Sequence, residues 1–270
     1  MIYQEIKIDK ENIMSYSLVT GASSGIGLEI CKLLAKDKNN LILVSRSEKE
    51  LLKLKKELED NYKIHVYVIV KDLAEHNAAL DIYHEALSKG FIVDKLINNA
   101  GFASFGRFSE IETHVDIPMI DVNVRALTYL TKLFLSNMIK NKEGKILNIA
   151  STAAFFPGPY MAVYYASKAY VLSLSEALAS ELKNTGVTVS ALCPGPTKTA
   201  FQNKAKMKKS EFVKFGVMDA YTVALCGYKG MLKGKQVIVP GVLNKFLINI
   251  IRFLPRSIVT SMAKATQNID

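Results

Sequence analysis

The chain has 270 residues, of which 49% are hydrophobic and 22% are charged, and its formal net charge is +10. This composition is typical of a globular protein and excludes disordered and collagen-like classes, while the length suits one α/β domain whose core needs no disulfides. The three cysteines are far apart in sequence and show no metal-ligand spacing, so we predict neither a disulfide framework nor a metal site.

The basic charge predicts an affinity for anions such as a phosphorylated cofactor, an acyl carrier, anionic lipid or nucleic acid. The lysines are dispersed and no nucleic-acid-binding motif accompanies them, so we expect a solvated basic surface and no nucleic-acid partner. Residues 1–14 form a short polar extension without the apolar core of a secretion signal, and no apolar run reaches about 18 residues. The sequence therefore predicts a cytoplasmic protein.

The first predicted element after the extension is an apolar strand that leads through a glycine-rich turn into an amphipathic helix. This stretch reads SYSLVTGASSGIGLEICKLLAK, and Gly21, Gly25 and Gly27 lie in its turn. Such a turn before a helix N-terminus brings backbone N–H groups against a pyrophosphate, which predicts a dinucleotide site. The spacing GxxxGxG differs from the commoner GxGxxG, and a purely structural role for the glycines is the alternative.

The second predicted strand, LILVS, ends at Ser45 and Arg46, about 20 residues past the glycines. An acid at this position binds a ribose 2′-hydroxyl, whereas an arginine accommodates a 2′-phosphate. No acid stands at the strand end, because Glu48 belongs to the next helix, where Ser47 and Glu50 form a capping-box pattern. The sequence therefore predicts NADP as the cofactor, and an ordinary surface charge is the alternative for the arginine.

Helices and strands then alternate as helix SEKELLKLKKELED, strand IHVYVIV, helix AEHNAALDIYHEALSKG and strand KLINNAG. Alternating βα units of this length predict a doubly wound α/β fold, in which helices cover both faces of a parallel sheet. Asp72 and Leu73 follow the third strand and residues 98–101 follow the fourth, at the sheet edge where ligands bind in such folds. A helix cap for Asp72 and a turn at Asn99 are the alternatives.

The next predicted helix, DIPMIDVNVRALTYLTKLFLSNM, contains Asn123. An asparagine in the middle of a helix is usually exposed or bonded to its own backbone, so helical position alone assigns it no function. The apolar run KILNIA then predicts a buried strand that ends at Ser151, in a loop rich in glycine and proline.

Tyr164 and Lys168 lie four residues apart at the start of another predicted helix and therefore project from one face. A cation beside a phenol lowers the pKa of the phenol, and a shift of roughly three units corresponds to about 4 kcal/mol. The pair thus predicts a general acid and base, and Ser151 predicts a hydroxyl donor to a substrate carbonyl. The alternative is a solvated helix pair and a turn serine, because YxxxK alone recurs by chance.

The strand VTVSALCPG leads into the loop PTKTAFQNKAKMKKSEFVKFG, after which the helix DAYTVALCGYKGML and the strand QVIVP close the sheet. Apolar side chains in loops near the predicted strand ends indicate an apolar substrate pocket, with core packing as the alternative. They are Phe102, Phe105, Phe155, Phe156, Tyr160, Met161, Phe201, Met207, Phe212 and Phe215.

Residues 242–270 begin VLNKFLINIIRFLPRSIVTSMAKATQ and combine a wide apolar arc, interrupted by Pro255, with a polar stripe. The stripe consists of Lys245, Asn249, Arg252 and Arg256. We predict an amphipathic helical segment that covers the substrate pocket or contacts a membrane surface. Packing on the sheet of its own chain or on a partner subunit is the alternative.

Six motifs occur in one order between about residue 15 and about residue 240, namely TGASSGIG, NNAG, Asn123, Ser151, YYASK and PGPTKT. Together they resemble the short-chain dehydrogenase/reductase family. The resemblance implies one Rossmann-type domain over residues 15–241 with about seven strands. It also implies an NADP(H)-dependent interconversion of a carbonyl and an alcohol on a small molecule, and a homo-oligomer. A cofactor-binding regulator or a membrane-surface protein with little turnover is the alternative function.

The resemblance also assigns roles to single residues. Tyr164 is expected to transfer the proton, and Lys168 to lower the Tyr164 pKa and bind the nicotinamide ribose. Ser151 is expected to polarise the carbonyl, and Asn123 to hold a water in a proton relay. The implied cofactor-binding residues are Gly21, Ser23, Ser24, Gly25, Ile26, Gly27, Ser45, Arg46, Asp72, Leu73, Asn99, Ala100, Gly101, Tyr164, Lys168, Pro194, Gly195, Thr197 and Thr199.

Overall fold

The structure is a computed structural model that describes residues 14–199 and 217–265. Four members of the predicted apolar pocket, Phe201, Met207, Phe212 and Phe215, lie outside the described residues. The same holds for residues 1–13 of the predicted extension and for residues 266–270. What the sequence predicts for these residues stays a prediction.

A parallel sheet of seven strands forms the centre of the described part of the chain. Its strands are β1 (Ser15–Thr20), β2 (Asn40–Ser45), β3 (Val66–Val70), β4 (Ile92–Asn98), β5 (Gly144–Ile149), β6 (Val187–Leu192) and β9 (Val237–Ile238). They are arranged in the order β3-β2-β1-β4-β5-β6-β9, with parallel pairing throughout. Because the chain winds outward from β1 in both directions, the predicted doubly wound α/β fold in a single domain is confirmed.

Helices cover both faces of this sheet. The α-helices are α1 (Gly25–Lys36), α2 (Glu48–Tyr62), α3 (Ala78–Ser88), α4 (Thr113–Ile120), α5 (Leu127–Asn141), α6 (Ala162–Glu181), α7 (Ala220–Leu232), α8 (Val242–Ile251) and α9 (Arg256–Ala265). A π-helix (Asp121–Ala126) joins α4 to α5, and a 3₁₀-helix (Thr152–Phe155) precedes α6.

Two apolar clusters lie on opposite faces of the sheet, because successive strand residues point in opposite directions. Val19 and Leu43 pack in the cluster that α1, α2 and α7 cover. Their neighbours Leu18 and Ile42 pack in the cluster that α3 and α5 cover. The strands therefore read as continuous apolar runs, as expected for a sheet that is buried on both faces.

Three predictions about the helices differ from the structure. The helix expected from Ala74 begins at Ala78, because a turn comes first, in which Asp72 Oδ1 accepts a hydrogen bond from the Ala74 N–H at 3.0 Å. The single long helix expected around Asn123 is divided by the π-helix. Ser47 is the N-cap of α2 but forms no side-chain capping bond, so the predicted capping box is absent.

A small second sheet stands where the chain enters and leaves residues 200–216. It pairs β7 (Thr197–Lys198) with β8 (Met218–Asp219) in parallel. Asp219 then caps α7, accepting a hydrogen bond from the Thr222 N–H at 2.8 Å. The two ends of the intervening segment are therefore held side by side.

The C-terminal helices α8 and α9 are separated at Pro255, as the sequence predicts. Ile248 of α8 is buried and packs with Leu127, Ala150 and Val239. Val259 and Ala263 are the buried residues of α9. Of the helices in the described ranges, none combines the length and apolar character needed to cross a bilayer.

Candidate active site

The glycine-rich turn packs against the residues that follow β4. Gly21 and Gly25 have φ angles of 64° and 58°, in the left-handed region that favours glycine. Asn99 Nδ2 donates hydrogen bonds to the carbonyl oxygens of Thr20 at 2.9 Å and Gly21 at 3.1 Å. A Cβ on Gly21 would stand 2.8 Å from that nitrogen, and a Cβ on Gly27 would also collide with it. Two of the glycines are thus required by packing inside the protein, which was the structural alternative for this turn.

Thr20, the last residue of β1, is a site residue that the sequence reasoning missed. Its Oγ1 accepts hydrogen bonds from the N–H groups of Asn99 at 3.0 Å and Ala100 at 3.1 Å, and donates to Ile97 O at 3.3 Å. The threonine therefore fixes the start of the loop 99–101. Its place immediately before the glycine turn was the signal that could have identified it.

Helix α1 begins at Gly25, and its N-cap residue Ser24 makes no side-chain capping bond. The N–H groups of the first turn have no acceptor within the helix and create a positive potential there. A Cβ on Gly25 would stand 3.2 Å from the Thr199 Cγ2 atom, so the loop 194–199 faces the same turn. An uncapped helix start, free of side chains at Gly25 and Gly27, fits the pyrophosphate of a dinucleotide.

Arg46 and Asp72 form an ion pair across the ends of β2 and β3, with 3.4 Å between Nη1 and Oδ2. The Arg46 side chain is 67% exposed, and the pair stands beside the buried side chain of Leu73. A guanidinium carries five N–H donors, so the single bond of 3.4 Å to Asp72 leaves donors that can bind a second anion. Arg46 therefore stands exposed at the carboxyl ends of β2 and β3, paired with Asp72, which the resemblance also assigns to cofactor binding.

Asn123 is almost completely buried and bonds to other elements, whereas an asparagine in the middle of a helix is usually exposed or bonded to its own backbone. Its Oδ1 accepts from the Phe102 N–H at 3.1 Å, and its Nδ2 donates to Phe102 O and to Ser167 Oγ, both at 3.0 Å. Ser167 Oγ in turn donates to Tyr164 O at 2.7 Å. The π-helix thus presents an amide that holds the loop after β4 against the first turn of α6, and π-helical turns are frequent at functional sites.

Lys168 is buried on the same side of α6 as Tyr164. Its Nζ donates to Ile149 O at 2.8 Å and lies 5.8 Å from the centroid of the Tyr164 ring. A Cβ on Gly101 would stand 2.9 Å from Asn123 Oδ1 and 3.3 Å from Lys168 Nζ. The structure therefore brings Gly101, Asn123, Lys168 and Tyr164 together, and it excludes the alternative of a solvated helix pair.

Ser151 is the N-cap of the 3₁₀-helix and not an ordinary turn residue. Its Oγ accepts from the Ala153 N–H at 3.1 Å, donates to Pro194 O at 3.4 Å, and is hydrogen-bonded to the Tyr164 hydroxyl. Two hydroxyl groups consequently stand side by side at the end of β5.

The electrostatics of the pair differ from the prediction. Burial raises the pKa of Tyr164 to about 12, and the hydrogen bond with Ser151 offsets only part of that rise. Burial also lowers the pKa of Lys168 to about 8. The expected lowering of the phenol pKa by the neighbouring cation is therefore wrong for this structure, because desolvation outweighs the effect of an ammonium that is directed at Ile149 O.

The loop 194–199 packs against Asn244 of helix α8. A Cβ on Gly195 would stand 2.6 Å from Asn244 Nδ2, which itself donates to Pro240 O at 2.8 Å. Thr197 Oγ1 donates to Gly195 O at 2.9 Å and stabilises the loop from within. No feature of the sequence indicated that Asn244 would reach this loop.

Those of the predicted apolar side chains that the structure describes do not line one pocket. Met161 and Phe105 pack around Tyr164, and the rings of Phe105 and Tyr160 are 6.4 Å apart. Phe102 and Phe155 instead pack against two core clusters, which was the alternative for this set. A groove of about 470 Å³ opens beside Phe155, Phe156 and Tyr165 and is bordered by Ala166 and Arg256. None of the predicted catalytic side chains lines that groove.

Comparison with known proteins agrees with the fold and the motifs. Residues 16–210 match the family described as short chain dehydrogenase. The very-long-chain 3-oxoacyl-CoA reductase of Anas platyrhynchos is 30% identical over 260 residues, which are 93% of this chain and 80% of that protein.

Among solved structures, a short-chain dehydrogenase from Sphingobium yanoikuyae in complex with NADPH superposes with a TM-score of 0.78 at 27% identity. The match covers 91% of this chain and 98% of that one. A short chain dehydrogenase/reductase from Burkholderia phymatum in complex with NAD has a TM-score of 0.78 at 24% identity, over 88% of this chain and 92% of that one. The second similarity shows the fold alone.

Proposed function

The chain belongs to the short-chain dehydrogenase/reductase family, and from that premise we propose an NADP(H)-dependent oxidoreductase that interconverts a carbonyl and an alcohol on an apolar substrate. The observation that carries the proposal is the hydrogen bond between the Ser151 and Tyr164 hydroxyls beside the buried Lys168. A site that only bound a cofactor would have no use for two adjacent donors at the end of β5. This observation therefore favours catalysis over the alternative of a regulator with little turnover.

In the proposed reaction the Ser151 and Tyr164 hydroxyls both donate to the carbonyl oxygen, where negative charge develops as the bond is reduced. One preorganised donor of this kind is typically worth about 3 kcal/mol in the transition state. The raised pKa of Tyr164 keeps the side chain protonated near neutral pH, which is the form that gives a proton to the substrate oxygen. A bound nicotinamide cofactor supplies or accepts the hydride.

Lys168 and Asn123 support this proton transfer in two different ways. The buried Lys168 ammonium stabilises negative charge on Tyr164 when the proton has left, because its Nζ lies 5.8 Å from the centroid of the Tyr164 ring. Asn123 fixes the backbone of Phe102 and, through Ser167, the first turn of α6 that carries Tyr164. We propose that Asn123 also holds a water molecule in a proton relay.

The proposed cofactor site follows the edge of the sheet from Arg46 to Thr199. The turn of residues 21–27 and the uncapped start of α1 would hold the pyrophosphate, and Arg46 would hold the 2′-phosphate. The residues after β4 and the loop 194–199 would hold the nicotinamide end. Relatives of known structure contain NADPH in one case and NAD in another, so the choice of NADP depends on Arg46 and the lack of an acid at the end of β2.

An apolar substrate is proposed from the side chains around Tyr164. Phe105, Tyr160 and Met161 form a wall of aromatic and thioether groups next to the hydroxyl. The Anas platyrhynchos relative is named as a 3-oxoacyl-CoA reductase, which makes 3-oxoacyl thioesters the first substrate class to test.

We also propose a homo-oligomer and a cytoplasmic location. The oligomer is supported by exposed apolar side chains on the outer faces of α5 and α6, among them Tyr129, Ile139 and Tyr170. The location is supported by three cysteines that are all free. Light scattering of the purified protein measures the first, and fluorescence microscopy of a tagged chain tests the second.

The oxidation of NADPH in the presence of 3-oxoacyl thioesters and a panel of apolar ketones tests the proposed activity. We expect a steady loss of absorbance with at least one member of the panel, and the corresponding alcohol as the product. NADPH that binds but is not consumed with any carbonyl would favour the regulator.

A further inference from the structure

Helix α8 and the residue after its C-cap carry a continuous apolar surface that faces away from the protein. We call it the α8 apolar face, and Phe253 at 87% exposed and Phe246 at 60% are its largest side chains. The complete set is Val242, Leu243, Phe246, Leu247, Ile250 and Phe253. Exposed apolar patches of this kind usually mark a surface for a protein or a membrane.

The geometry of the helix separates this face from the side that packs on the protein. With about 100° of rotation per residue, the six apolar side chains occupy an arc of roughly 140°. Ile248 lies outside that arc, is buried, and contacts the core cluster of Leu127, Ala150 and Val239. The helix therefore packs on the domain through the side that contains Ile248, and the side chains of the α8 apolar face are exposed.

Cations border the α8 apolar face. Residues 242–265 contain Lys245, Arg252, Arg256 and Lys264 and no aspartate or glutamate. Lys245 and Arg252 are exposed and fall between Ile248 and the apolar arc on the helical wheel. Long cationic side chains such as these can keep their charged ends in the polar headgroup region while the neighbouring apolar side chains enter a membrane.

We propose that the α8 apolar face docks on an anionic phospholipid surface. Phe246 and Phe253 would enter the boundary between headgroups and acyl chains, and Lys245 and Arg252 would contact the lipid phosphates. Asn244, the residue before Lys245, packs against Gly195 in the loop 194–199. Docking would therefore place the edge of the active site close to the lipid, where apolar substrates are concentrated.

The charge pattern favours lipid over a second copy of the chain. Two copies joined through this face would bring Lys245 and Arg252 of each chain together, and residues 242–265 offer no acid to compensate. An anionic bilayer supplies both the negative charge and the apolar volume that the face lacks.

Sedimentation with vesicles tests the proposal on the whole protein. Vesicles of phosphatidylglycerol and phosphatidylcholine in equal parts are compared with vesicles of phosphatidylcholine alone. We expect binding to the anionic vesicles that weakens with added salt, and much weaker binding to the neutral ones. Phe246→Ser with Phe253→Ser should weaken binding by at least about 100-fold. Lys245→Gln with Arg252→Gln should weaken it by about 30-fold.

Matched controls change residues of the same type elsewhere on the surface. Leu52→Ser with Leu232→Ser removes two exposed leucines from α2 and α7, and Lys49→Gln with Lys53→Gln removes two exposed lysines from α2. Both should bind vesicles like the unchanged protein, and NADPH affinity should confirm that every variant is folded. Three outcomes would overturn the proposal: no vesicle binding, binding that ignores lipid charge, or variants of the face that change the oligomeric state and not vesicle binding.

Discussion

At the scale of single residues, the site combines the buried Lys168 ammonium with the partly buried Tyr164 phenol, and desolvation opposes the charged form of both. The pKa of Lys168 is lowered to about 8 and that of Tyr164 is raised to about 12, in each case chiefly by desolvation. The amine stays mostly protonated near neutral pH because its pKa of about 8 is above 7, and Nζ donates to Ile149 O. The lowered pKa of Lys168 therefore carries a cost to stability that can be measured.

Replacing Lys168 by methionine should remove a stability term that depends on pH. The folded-state pKa is about 8 and the ordinary value is 10.5, so between these values the unfolded chain binds more protons than the folded one. The destabilising contribution of Lys168 is therefore largest below pH 8 and disappears as the pH rises through this window. At about 1.4 kcal/mol per pKa unit, the full window is worth about 3 kcal/mol.

We expect the stability of the unchanged protein relative to Lys168→Met to rise by about 1–3 kcal/mol from about pH 7.5 to about pH 10. Urea unfolding at the two pH values measures it. Lys245→Met, on the surface, is the control and should show no such trend. A stability difference that does not change with pH would contradict a lowered pKa.

Arg46→Ala should weaken NADPH binding by about ten-fold or more and leave NADH binding nearly unchanged, because only the 2′-phosphate needs the guanidinium. Titration of both cofactors by their fluorescence gives the two affinities. Lys49→Ala removes a cation three residues further along the chain and should affect neither. Equal losses for NADPH and NADH would show that Arg46 does not select the phosphate.

At the scale of elements, the end of β1 and the loop after β4 behave as one unit. Asn99 donates hydrogen bonds to Thr20 from both its backbone N–H and its side-chain amide, and the glycines of the turn leave room for the Asn99 side chain. The π-helix joins the same loop to α6 through Asn123. Side-chain hydrogen bonds between elements therefore hold together residues from four motifs, namely TGASSGIG, NNAG, Asn123 and YYASK.

Gly27→Ala tests this packing, because alanine is normally the better residue inside a helix by up to about 1 kcal/mol. Here the added Cβ would collide with Asn99 Nδ2 and Gly21 O. We expect a loss of about 1–3 kcal/mol of stability, as for an overpacked core position, together with weaker NADPH binding.

Gly90→Ala is the comparison for that variant. Gly90 has a φ angle of 70° and no atom within 4 Å of the added Cβ, so it should lose only about 1 kcal/mol through backbone strain. Thermal unfolding and NADPH titration measure both variants. A Gly27→Ala protein as stable as the unchanged one would mean that the turn moves away from Asn99 at little cost.

At the scale of the whole molecule, the order of motifs predicted the fold and the edge of the sheet where the site lies. Parallel strands bring their carboxyl ends to one edge, so the residues after β1, β2, β4 and β5 had to be neighbours. The burial of Asn123 could not be predicted, because helical periodicity contains no sign of a π-turn or of the partner Phe102. The contact of Asn244 with Gly195 and the high pKa of Tyr164 depend on tertiary packing, which no local pattern encodes.

The central claim is that Tyr164 gives the proton in an NADPH-dependent reduction, and Tyr164→Phe tests it most directly. Burst and steady-state rates of NADPH oxidation are measured with the best carbonyl substrate, together with NADPH affinity. Tyr170→Phe is the control, since its hydroxyl is bonded to Thr128 Oγ1 on the surface. We predict that Tyr164→Phe loses at least about 100-fold in rate, with NADPH affinity nearly unchanged. A variant that keeps more than about a tenth of the rate would contradict the assignment of Tyr164 as the acid.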